Sequence, residues 1–122
     1  MFIIPLESLC SENAELKQIL SDSIGIKVSE FDADGGKEAP YVCWQIINAN
    51  TQQYLADNSD MDEILVQIDI YANKKSECRK IAKLVRSVIS ESCYIENYSG
   101  IIKESETNLF RIHIDTNWFE ES

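Results

Sequence analysis

A change of hydrophobic period within thirty residues constrains this chain more than any other feature. From Asp60 to Ile89 it reads DMDEILVQIDIYANKKSECRKIAKLVRSVI. Ile64, Val66, Ile68 and Ile70 alternate with Leu65, Gln67, Asp69 and Tyr71, the period of two expected of a strand. After Asn73 the period changes: Cys78, Ile81, Ala82, Val85, Val88 and Ile89 form one stripe of a helix. A strand running almost directly into an amphipathic helix has two apolar surfaces to bury, and one shared core buries both. On the arc opposite the apolar stripe lie Arg79, Lys80, Lys83 and Arg86.

The flanking sequence supplies more of the same layers. Residues 5 to 22 read as helical, with Pro5 suited to a first turn and Leu6, Leu9, Cys10, Leu16 and Leu20 on one side. Ser11 to Asn13 are candidates for a break, because Ser and Asn compete for backbone hydrogen bonds and prefer caps. Ile26 to Phe31 reads as a strand closed by the Asp32–Gly36 turn, and Pro40 opens a second strand over Tyr41 to Asn48. Residues 49 to 60 are polar, either a long loop or hairpin arms reaching into solvent. Cys93 to Glu104 reads as a strand bent at Ser99-Gly100. In the last strand Phe110, Ile112, Ile114 and Trp118 face one way, with Arg111, His113, Asp115 and Asn117 facing the other. The expectation is an α+β fold: an antiparallel sheet of four to five strands, with an N-terminal helix and one long amphipathic helix (about 74–91) on one face.

At 122 residues the chain fits a single domain spanning 1–122, able to bury roughly two-thirds of its unfolded surface without staples. The four cysteines are widely spaced with no CxxC pair, and the start MFIIPLESLCSEN lacks a basic n-region. Free buried thiols in a reducing compartment are therefore expected, and no apolar run approaches the ~20 residues a bilayer requires. A net charge of -10 argues against a nucleic-acid-binding surface or a polybasic membrane anchor.

Catalytic and cofactor signals are sparse. The one histidine, His113, is on the polar side of the last strand near Asp115, and would approach Asp69 only if that strand paired with the third. Asp32-x-Asp34 and Asp60-x-Asp62 lack the remaining ligands of a calcium loop, and no phosphate-binding glycine motif is present, so neither metal nor cofactor is expected. The sharpest anomaly is segregated charge. Six of the eleven Lys and Arg residues lie between Lys74 and Arg86. One reading is a solvated helix face. The other is a molecule with one basic and one acidic surface, suited to head-to-tail association into rings or filaments.

Ala39-Pro40-Tyr41-Val42 with Trp44-Gln45-Ile46, and Asp60-Met61-Asp62 followed by Val66-Gln67-Ile68-Asp69-Ile70-Tyr71-Ala72 and its helix, resemble segments of bacteriophage tail terminator (tail-completion) proteins. The resemblance covers roughly residues 39 to 89, and the 49–59 loop departs from the family pattern in lacking a glycine. It implies a structural, non-enzymatic virion tail protein, assembled in the host cytoplasm into a ring, commonly hexameric. Such a ring stops tail-tube growth and presents a head-joining surface, so its partners would be further copies, the tail-tube protein and a head–tail connector. A subunit interface would then set Arg79, Lys80, Lys83 and Arg86 against Asp57, Asp60, Asp62 and Glu63 of a neighbour. The rival readings are an acidic inhibitor (an immunity protein or DNA mimic) that binds a basic enzyme, and a small enzyme using Asp69, His113 and Asp115.

Overall fold

The structure is a computed structural model, and it describes residues 4–30, 38–51 and 61–121. The fold is α+β, with elements in the order α1 (Leu6–Glu12), α2 (Ala14–Leu20), β1 (Val28–Glu30), β2 (Tyr41–Thr51), β3 (Met61–Ala72), α3 (Lys75–Ile89), β4 (Tyr94–Tyr98), β5 (Ile102–Lys103) and β6 (Phe110–Glu121). The strands form one sheet in the order β1-β2-β3-β6-β4, with β5 also pairing with β6.

The N-terminal helical stretch is divided where its sequence is weakest. Asn13 adopts an extended conformation, and its side chain accepts a hydrogen bond from the Leu16 amide at 2.9 Å, capping α2. The kink lets Leu6 and Cys10 of α1 and Leu16 and Leu20 of α2 all reach the core. In α3 the buried residues are Cys78, Ile81, Ala82, Val85 and Ile89, five of the six that periodicity expects, with Val88 partly buried against the same core. The strands answer with Val42 and Trp44, the even-numbered residues 64 to 72, and Ile112, Ile114 and Trp118. All three helices share this cluster, so they cover one face of the sheet.

The sheet departs from a wholly antiparallel expectation at its edge: β1 pairs with β2 in parallel, Val28 opposite Val42. Parallel neighbours require a crossover, not a tight turn, so β1 and β2 are not the arms of a hairpin. The expected turn at Asp32–Gly36 lies outside the described residues. β2 and β3 run longer than their apolar alternation suggests, pairing out to Thr51 opposite Asp62, with a bulge at Ile47. Hairpin arms are thus the correct reading of 49–51, whereas 52–60 lie outside the described residues. β4 stops at Tyr98 and β5 begins at Ile102, which places the bend where Ser99-Gly100 suggested it. The turn from β5 to β6 closes on Asn108, at a φ of 60° that asparagine tolerates better than most residues.

Thr116 lies on the core face and solves its own burial. Its hydroxyl donates to the Val66 carbonyl and accepts from the Trp118 indole, each at 2.8 Å. The four cysteines are free thiols, with Cys10, Cys43 and Cys78 buried.

Candidate functional site

The basic arc of α3 does not act as one group. Arg79, Lys83 and Arg86 follow at i, i+4 and i+7 and turn toward β4. There they line a cleft of about 460 Å³ with Tyr98, Ile101 and Ile112 around the β4–β5 break. The Arg86 guanidinium sits over the Tyr98 ring, 5.4 Å from its centroid. Among the described residues none of these three cations forms an ion pair. Lys80 is one position round the helix and faces the other way, its ammonium 2.7 Å from Glu15 of α2.

The acidic set expected to answer the arc is placed only in part. Asp57 and Asp60 lie outside the described residues. The register sets Asp62 opposite Glu120, two acidic positions facing across the β3–β6 pair. Glu63 is half-buried and accepts a hydrogen bond from the Asn117 amide at 3.0 Å. Of the acidic set only Glu63 has a described side chain, and among the described residues it pairs with none of Arg79, Lys80, Lys83 and Arg86.

On the face away from the helices, β3 and β6 do pair, bringing Asp69 opposite His113. Asp69 is nevertheless held by Arg111, whose Nη2 and Nε donate to one carboxylate oxygen at 2.8 and 3.0 Å. Gln67 donates to it as well, at 3.0 Å. His113 Nε2 is 4.0 Å from Asp115, and its Nδ1 has no hydrogen-bond partner. Cys43 of β2 lies opposite Asp69 on that strand's other side, so the row runs thiol, acid, imidazole. That order sets the base two strands from the thiol, about 10 Å away, too far for proton abstraction. Among the described residues no group of three His, Cys, Asp or Glu is placed to hold a metal ion.

Sequence reasoning missed the stack beside this row. Tyr41 and Tyr71 are buried on the face away from the helices, their rings stacked at 4.9 Å between centroids. Register was the absent signal: it sets Tyr41 opposite Tyr71, and Tyr71 opposite Arg111. Burial pushes the Tyr71 phenol well above its ordinary value, and the nearby Asp69 charge adds to this.

Two further surfaces escaped the sequence reading. Beside the end of α3, Tyr94 (67% exposed) and Phe119 (37%) meet edge to face at 5.8 Å over a hollow of about 590 Å³. At the opposite margin, α1 and β1 border a hollow of about 540 Å³ over Ile4, Val28 and Trp44, with Glu7 and Glu30 exposed at its rim.

The described residues thus form a layered frame in which basic side chains line one hollow and acidic side chains rim another. A family model described as "Tail completion protein gp17" matches residues 5–121. The chain belongs to that family and is a structural component of the phage tail. It interacts with other tail components, and among the described residues no helix is long and apolar enough to cross a membrane. A search of curated proteins finds no match.

Proposed function

We propose that copies of this protein form a ring, hexameric in the form the family resemblance implies, that caps the finished tail tube. The ring stops tube polymerisation and presents the surface to which the head joins. The observation that carries this reading is the stripe Arg79, Lys83 and Arg86, without an ion pair among the described residues, on a chain of net charge -10. Three cations on one helix face with no described carboxylate beside them are well suited to a neighbour that brings one, and heterologous contacts between copies close into rings. A tail protein with that surface acts through its contacts.

Electron microscopy of tubes grown from tail-tube protein tests the reading. With this protein present, tubes should carry a ring at one end and stay short and uniform. Tubes that grow to the same broad lengths with and without it, and carry no terminal density, would sink the proposal.

A further inference from the structure

We infer that neighbouring copies join margin to margin through their helix layers: the cleft between α3 and the β4–β5 break takes the carboxylates Glu7 and Glu30 of the next copy. This rests on the ring reading above and assigns it a second surface. The cleft and the α1–β1 hollow lie at opposite edges of the same sheet, because β1 and β4 end the strand order. Both involve helices that cover the same sheet face, α3 at one margin and α1 at the other. A contact between unlike edges is heterologous, so each copy uses both margins and the chain of contacts can close.

The charged residues that line the two hollows are of opposite sign. The cleft brings Arg79, Lys83 and Arg86, spread over seven residue steps and so about 10 Å of helix. The hollow brings Glu7 from α1 and Glu30 from β1, both exposed and without an ion pair among the described residues. Each margin has an apolar floor, Ile101 and Ile112 in one and Val28 and Trp44 in the other. Closing the two floors together excludes water and strengthens the ion pairs above them. Arg86 is already ordered over Tyr98, which lowers the entropy lost on pairing.

The alternatives fit less well. Glu63 accepts from Asn117, and Lys80 is occupied by Glu15, so two of the residues first matched across the interface already have partners. Backbone pairing between the sheets fits less well. Among the described residues β1 offers three, and β4 changes register between Ile95 and Asn97 before stopping at Tyr98. A short edge strand opposite an irregular one is a poor template for a ladder, which leaves the side chains to make the contact.

Complementary charge reversal tests the pairing. One variant carries Lys83→Glu with Arg86→Glu, a second carries Glu7→Lys with Glu30→Lys, and a third carries all four. Association is read by sedimentation and by ring density on tail tubes at physiological ionic strength. Each two-residue variant should associate at least about tenfold more weakly than the wild type. The four-residue variant should recover, as should an equal mixture of the first two, since each then meets its complement. All four positions are exposed, so unchanged thermal midpoints should confirm that folding is intact. If the four-residue variant is no better than its parents while the wild type forms rings, the margin pairing is wrong and the ring stands. If Asp62→Lys with Glu63→Lys is what rescues the first variant, the hairpin acids are the partner and the pairing again falls. A wild type that stays monomeric both alone and on tubes overturns both readings.

Discussion

Arg111 decides the character of the sheet face that the helices leave uncovered. Its guanidinium holds the buried Asp69 carboxylate and reaches Glu104 at 3.4 Å. Removing one partner of such a pair strands the other, and here the two are not equally placed. Without Asp69, Arg111 keeps Glu104 and some solvent; without Arg111, Asp69 keeps only Gln67 among the described residues. Arg111→Ala should therefore cost about 2–3 kcal/mol, read as a fall of roughly 10 °C in Tm, and Asp69→Asn should cost clearly less. Equal losses would show that the charge on Asp69 is immaterial. Lys80 is the useful contrast. Its pair with Glu15 is exposed on both sides (57% and 50%), so Lys80→Ala should change stability by no more than about 0.5 kcal/mol in the same melts.

The thiols carry a second residue-scale consequence. Burial pushes Cys10 up to about 12, and Cys78 and Cys93 to about 11, from an ordinary 9.0. The folded state thus holds these protons more tightly than the unfolded chain. Their contribution is complete below about pH 9 and is lost as pH rises through 11 and toward 12. Denaturant midpoints should hold steady up to pH 9 and then fall, and Cys78→Ala should flatten part of that fall relative to its own neutral value. An unchanged alkaline slope in that variant would remove the thiol from the account.

At the scale of elements, local pattern and tertiary context can be told apart residue by residue. The strand and helix between Met61 and Ile89 were legible because the core-facing stripe of each is apolar and leaves its period in the sequence, although Asp69 and Tyr71 on the strand's other face are buried as well. The break before α2 was legible as well, because Asn13 is a cap residue by chemistry. Asn13→Ala should cost about 1 kcal/mol in denaturant melts and Asn13→Gly only a few tenths, with Leu16 and Leu20 losing their fixed placement first. If alanine cost nothing, packing alone would set the kink. What stayed hidden depends on which element lies beside which. Periodicity put Lys80 with Arg79, Lys83 and Arg86, yet Glu15, some sixty-five residues away, draws it to the α2 side. The parallel pairing of β1, the Tyr41–Tyr71 stack and the Glu7–Glu30 hollow are also products of neighbours distant in sequence. A sequence pattern reports that a face is buried or charged, and the partner is settled by topology.

Over the whole molecule two electrostatic effects oppose each other, and ionic strength separates them. A net charge of -10 makes any two copies repel at long range, whereas the margin contact proposed above attracts at ion-pair distances. At about 0.01 M salt the screening length is roughly 30 Å, so the repulsion acts across a whole subunit. Near 0.15 M it shrinks to about 8 Å, which removes most of that repulsion but leaves charges in contact largely unscreened. At about 1 M it is roughly 3 Å, and the rim pairs weaken too. Self-association should therefore pass through a maximum at intermediate salt when followed by sedimentation across this range. The Lys83→Glu, Arg86→Glu variant keeps the repulsion and loses the attraction, so its weaker association should only rise with salt. A wild type whose association climbs steadily to the highest salt would be held by apolar contact, with the basic cleft no more than a solvated helix face.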